Sequence, residues 1–106
     1  MINQRIKSKR MAAKVAKELQ ADLIEELDCF GSYKVDMEAI GCYHDITITS
    51  PSCTCNIITS CVIKRIIGVA EVYCKQYQDI TYHFDVAKDA DKYIPAFVIQ
   101  ISYKEK

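Results

Sequence analysis

The stretch PSCTCNIITSCVIKRIIGVAEVYCKQY, residues 51–77, decides the fold. Its Ile and Val content suits strands. Its polar residues argue the other way: Asn56, Ser60, Lys64, Gly68, Glu71, Lys75 and then Gln78 recur every three or four positions. That is the period of a helix carrying one narrow polar stripe. Ser50 offers a capping hydroxyl, and Pro51 suits the first helical position. A largely buried helix over residues 51–77 is therefore expected, with the Lys64–Glu71–Lys75 stripe at the surface. A pair of strands broken near Gly68 is the competing reading.

Working outward, a first helix is expected over residues 8–30. Met11, Val15, Leu19, Leu23 and Leu27 recur every four residues, flanked by Ala12, Ala16, Ile24 and Phe30. Ser8 can cap its start, and Gly31 can supply a left-handed stop. Its charges oppose the helix dipole. Arg5, Lys7, Lys9, Arg10, Lys14 and Lys17 precede the first acid, Glu18; Asp22, Glu25, Glu26 and Asp28 follow. Each misplaced charge costs about 0.3–1 kcal/mol. Either packing of the apolar stripe outweighs this, or the basic end meets an anionic partner.

Each helix is followed by alternating segments. Tyr33, Val35, Met37 and Ala39 alternate with Lys34, Asp36 and Glu38, and Gly41 marks a turn. Ile46 and Ile48 alternate with Asp45, Thr47 and Thr49. Residues 78–86 place Ile80, Tyr82, Phe84 and Val86 inward and Thr81, His83 and Asp85 outward. The polar run 87–92 reads as a loop. Residues 93–104 carry Phe97, Ile99, Ile101 and Tyr103 on one face, and Pro95 points to an edge strand or to a strand start. The halves echo each other: Tyr33-Lys34-Val35-Asp36-Met37 against Tyr82-His83-Phe84-Asp85-Val86, and Ile46-Thr47-Ile48-Thr49 against Ile99-Gln100-Ile101-Ser102. The expected fold is α+β, a two-layer sandwich with two long helices on one face of a four-stranded antiparallel sheet, in order α-β-β-α-β-β.

The 106 residues make one domain, 1–106, half hydrophobic and 26% charged, with zero formal net charge. Such neutrality argues against a nucleic-acid binder held by bulk charge, and against an acidic DNA mimic. The N-terminus lacks an apolar secretory core. The six cysteines are therefore expected as reduced thiols in a cytoplasmic protein. The basic, acid-free start has the charge of a mitochondrial transit peptide but only one serine, Ser8. No segment is long and uncharged enough to span a membrane.

Chemistry-bearing motifs are few. Cys42-Tyr43-His44 and Cys53-Thr54-Cys55 have zinc-ligand types. If the strand from Tyr43 to Thr49 separates them, they lie about 20 Å apart. Cys53 near a helix start has no histidine placed beside it, since only His44 and His83 exist. There is no Gly-rich phosphate loop and no nucleophile elbow. No metal or other cofactor is expected. The remaining constellation is the outward sheet face: Asp36 and Glu38 on one strand, His83 and Asp85 on another, with Thr47, Thr49, Gln100 and Ser102 around them and Val98 and Tyr43 adding apolar area.

The expected function is that of a small binding or regulatory module, an accessory protein acting by macromolecular contact rather than by turnover. Association is expected through the uncovered face or the edge near residues 93–103, with a protein partner or a second copy in a homodimer. One alternative is a nucleic-acid-associated protein using Arg5, Lys7, Lys9, Arg10, Lys14 and Lys17. Another is a small metal-dependent or acid–base enzyme on the acidic face.

Overall fold

The computed structural model describes residues 4–28, 33–49, 60–89 and 92–103. Six elements follow in order: α1 (Lys9–Leu27), β1 (Lys34–Ile40), β2 (Tyr43–Thr49), α2 (Ser60–Gln76), β3 (Ile80–Asp89) and β4 (Lys92–Ser102). The strands form one antiparallel sheet in the order β1-β2-β4-β3, with both helices on one side. This is the two-layer α+β sandwich that the sequence implies.

Ser8 caps α1 as expected, its Oγ accepting the Met11 N–H at 3.1 Å. The helix buries Ala12, Val15, Ala16, Leu19, Leu23 and Leu27. It ends at Asp28; Gly31 lies outside the described residues. The described part of α2 starts at Ser60, so the Ser50-Pro51 start and Asn56 also lie outside them. Lys64, Gly68, Glu71 and Lys75 are exposed, as their period implies. The apolar remainder is less buried than expected. Val62, Ile66, Ala70 and Tyr73 enter the core, whereas Val72 is 53% exposed and Ile63, Ile67 and Val69 are half-buried. Only one side of α2 meets α1 and the sheet, so apolar residues outnumber the positions that packing can cover.

The core joins these helix residues to Ile46 and Ile48 of β2, Ile80 of β3, and Phe97, Ile99 and Ile101 of β4. Polar contacts lock the layers. Gln20 donates to the Val35 carbonyl at 2.8 Å, and Tyr82 Oη donates to Glu71 at 2.7 Å. Arg65 pairs with Glu26 at 3.1 Å, tying α2 to α1. Before α1, Gln4 bridges to Tyr77, and the Ile6 N–H donates to Asp79 Oδ2 at 2.8 Å. The Asp79 carbonyl accepts the Ser102 N–H at 2.9 Å. Asp79 thus fastens the N-terminal segment and the end of β4 to the α2–β3 connection.

The two halves are related by a pseudo-two-fold that passes between β2 and β4, through the pair Ile46↔Ile99. The closing-strand echo, 46–49 against 99–102, lies in this register. The opening echo does not. Met37 and Tyr82 face the axis pair, from β1 and β3 respectively, an offset of 45 (82 − 37). The echo pairs Tyr33 with Tyr82, an offset of 49 (82 − 33). The difference follows from the hairpins. The first turns at Gly41, with φ +55, between the paired Ile40 and Tyr43. The second runs on through Val86↔Pro95, Ala87↔Ile94, Lys88↔Tyr93 and Asp89↔Lys92.

Two strand expectations are corrected by this arm. Most of the polar run 87–92 is paired strand rather than loop, because β3 and β4 extend each other. β4 is also interior rather than an edge, flanked by β2 over Ala96–Ser102 and by β3 over Lys92–Ile101, although it does start near Pro95, at Lys92. Pro95 is tolerated because, among the described residues, β2 pairing ends at Thr49↔Ala96 and β4 has a neighbour there on the β3 side only. Among the described residues the free edges are those of β1 and β3. Phe84 shares the inward face, but it lies where the hairpin leaves the helices and is 58% exposed.

Candidate functional site

The helix-free face of the sheet is built by alternation. Antiparallel pairing arranges its residues in rows running β1, β2, β4, β3: Lys34–Thr49–Ala96–Asp85, Asp36–Thr47–Val98–His83 and Glu38–Asp45–Gln100–Thr81. A fourth row, Ile40–Tyr43–Ser102, ends the sheet. Ile40 and Tyr43 are 48% and 46% exposed. Ala96 and Val98 are buried yet stand apart from the helix-packed core, so they form an apolar floor at the centre of this face. Val98 was expected here as exposed area. Its face is as expected, but it is only 6% exposed, at the centre of the sheet between β2 and β3.

The structure splits the candidate carboxylate–imidazole patch. Asp36 and Glu38 lie on one edge strand, and His83 and Asp85 on the other. Three strand spacings separate them, about 14 Å. The cause is topological: β2 and β4 pair at the centre and drive β1 and β3 apart. His83 Nε2 instead lies 3.7 Å from Asp85 Oδ2, on the same strand, with both side chains about half exposed. Such a pair contributes little. No acid–base pair therefore spans the sheet. Among the described residues no group of three His, Cys, Asp or Glu side chains is placed to hold a metal ion.

A different pair stands out. Glu38 and Asp45 face each other directly across β1 and β2. Like charges so placed are about 5 Å apart at Cβ and destabilise a sheet. One carboxylate oxygen of Asp45, Oδ1, is buried and finds no hydrogen-bond partner among the described residues. Asp36 lies two residues from Glu38 on the same face, and Ile40 and Tyr43 border the pair on its other side. Asp45 was legible in the sequence as an outward residue of its strand. What singles it out is the strand register, which no local pattern reveals.

The basic residues divide as well. Arg5 is used internally: its Nε lies 3.5 Å from Asp79 Oδ2, and its Nη1 donates to Gln78 Oε1. Lys9 also has an interaction within the chain. Lys7 is exposed ahead of the helix. Arg10, Lys14 and Lys17 line a shallow groove with Ser8, Met11 and Ala13. A second shallow groove, between α1 and α2, is lined by Asp22, Glu25, Glu26, Val69, Val72 and Tyr73. Within it Tyr73 Oη donates to Asp22. Burial first, then this bond and the nearby carboxylates, push the Tyr73 phenol well above its ordinary range.

Of the motif cysteines, Cys42 is an exposed free thiol in the β1–β2 turn, while Cys53 and Cys55 lie outside the described residues. Cys74 is a half-buried free thiol whose pKa is raised by burial and then by Glu71. His44 points into the helix-covered side, 94% buried beside Tyr103, and neither ring nitrogen has a partner among the described residues. No described helix is long and apolar enough to cross a membrane. No family model matches the chain, and no curated protein or solved structure shows significant similarity to it.

Proposed function

We propose that the protein is a binding module whose helix-free sheet face receives a basic segment of another protein. The supporting observation is the facing Glu38–Asp45 pair with its buried, unpartnered Asp45 oxygen. Two carboxylates held together by the strand register gain most from a cation placed between them. A lysine or arginine of a partner supplies one, donating to the exposed Glu38 carboxylate with the half-buried Asp45 charge beside it. Ile40 and Tyr43 offer apolar contact beside it, and tyrosine is favoured at such interfaces.

Charge argues for this class of partner over the others. Where side chains are described, the face carries Asp36, Glu38, Asp45 and Asp85 against Lys34. Nucleic acid is repelled by such a surface. A second copy docked face to face sets acid against acid, so the expectation of a sheet-mediated homodimer gives way here to a heterologous partner.

Panning a random peptide library against the protein tests the reading. Selected peptides are expected to combine Arg or Lys with apolar residues, and to lose at least about tenfold in affinity for the Glu38→Gln/Asp45→Asn variant, since a charge-assisted contact is worth about 1.5–3 kcal/mol. Peptides without basic residues, or binding unaffected by the double variant, would contradict it.

A further inference from the structure

The helical layer carries a second surface, on the opposite side of the molecule. The exposed face of α1 is Arg10, Lys14, Lys17, Ala21, Ile24 and Asp28, spaced alternately four and three residues apart. That spacing keeps one stripe in line along a helix, at the interval by which paired helices face each other, but four of the six residues are charged, so charge rather than an apolar seam sets the pairing. Its N-terminal half is basic. Its C-terminal half is acidic, with Glu18 and Glu25 flanking Asp28 and the Asp22–Glu26 groove alongside. Small Ala21 sits near the middle, and Ile24 is 53% exposed.

We infer that this face pairs with its own copy, α1 against α1 in antiparallel orientation about a two-fold axis near residue 19. Parallel pairing stacks bases on bases and acids on acids. The antiparallel pairing inverts this. Position i then faces 38 − i, so Arg10 meets Asp28 of the partner subunit and Lys14 lies beside the partner's Glu25. The partner's Ala21 faces Lys17, which permits close approach. Each contact occurs twice, as a closed two-fold requires.

The same arrangement answers the dipole mismatch of α1, which has no acid in its first turn and no base in its last. In an antiparallel pair each basic N-terminus receives its partner's acids and each acidic C-terminus its partner's bases. A stable interface needs about 800 Å² per partner, roughly a ninth of the 7059 Å² surface. Two adjacent helices about 25–28 Å long supply a layer of that size, with Val72 of α2 adding apolar area beside the acidic groove. The sheet face remains open in this dimer, so the inference does not rest on the proposed function.

Sedimentation equilibrium on the full chain tests it with complementary charge reversals, all at exposed positions. The wild type is expected to dimerise, and to weaken with salt as exposed charge pairs do. Lys14→Glu/Lys17→Glu and Glu18→Lys/Glu25→Lys are each expected to lose at least about tenfold in dimer affinity. An equimolar mixture of the two variants should form a heterodimer, because the reversed positions of one variant then face reversed positions of opposite charge in the other, while Arg10 and Asp28 still meet as in the wild type. Circular dichroism on each variant separates lost association from lost folding. A wild type that stays monomeric up to near-millimolar concentration overturns the inference, as does a dimer indifferent to both reversals. So does a monomer that binds an oligonucleotide through Lys14 and Lys17 and binds it more tightly after Glu18→Lys/Glu25→Lys.

Discussion

Replacing His44 with leucine is expected to stabilise the protein. Both imidazole nitrogens are buried and without partners among the described residues, and the residue is 6% exposed. A neutral imidazole brings one donor and one acceptor into that site, and leaving a buried polar group unsatisfied costs about 1–3 kcal/mol. Leucine is close to imidazole in bulk and has nothing to satisfy. Against the gain stands the tilted contact with Tyr103, ring centroids 6.2 Å apart, a contact worth about 0.5–1.5 kcal/mol. The pseudo-two-fold supports an apolar residue here, since the pair Ile48↔Phe97 is the symmetry mate of His44↔Ile101 and places Phe97 at the position equivalent to His44. The net expectation is about 1–2 kcal/mol. For a domain of this size, that raises the midpoint by roughly 5–15 °C. Thermal unfolding at neutral pH, with a urea titration to verify an unchanged slope, makes the measurement. An unchanged or lowered midpoint would refute the reasoning and mean that the ring is hydrogen-bonded in solution.

Asp79→Ala should lower stability by about 1.5–3 kcal/mol, because Ile6 N–H and Arg5 lose their shared carboxylate; amide exchange at Gln4 and Ile6 should rise before exchange in α1 does. Val98→Asp should unfold the protein or lower its midpoint steeply, since a charge at a 6% exposed site has no partner there; a midpoint within a degree or two of wild type would mean that the sheet face is open at its centre. Alkaline titration followed by tyrosinate absorbance should leave Tyr73 protonated after the exposed tyrosines ionise, with Tyr82 also late because its hydroxyl is bonded to Glu71. The Tyr73 pKa is raised in the folded state from 10.0, so its contribution is full below about pH 10 and is lost as the pH rises through the folded value. Tyr73→Phe should therefore flatten the alkaline limb of the stability curve.

The helices and the fold class were legible because α1 and α2 carry a pattern that lies wholly within each segment. Leu19 and Leu23 are core because of their period alone. The pairing order was harder to read. Pro95 argues for an edge from its own missing N–H, yet β4 is central because β2 and β3 both pair with it, and among the described residues the β2 pairing stops one residue short of Pro95. Phe84 has the alternation of an inward residue, but burial depends on where the helices end. Asp36, Glu38, His83 and Asp85 were assigned to one face, which the strand alternation bears out. Their separation depends on β2 meeting β4, a contact between residues some fifty positions apart. For the same reason the Glu38–Asp45 opposition is invisible until the hairpin register is known.

The most direct test of the sheet-face account is an amide chemical-shift titration with an arginine-containing peptide selected against the wild type. Shifts should centre on Glu38, Asp45, Thr47 and Gln100, extend to Ile40 and Tyr43, spare the exposed face of α1, and vanish with Glu38→Gln/Asp45→Asn. Shifts that map instead to Arg10, Lys14 and Lys17, or that persist unchanged in the double variant, would contradict it.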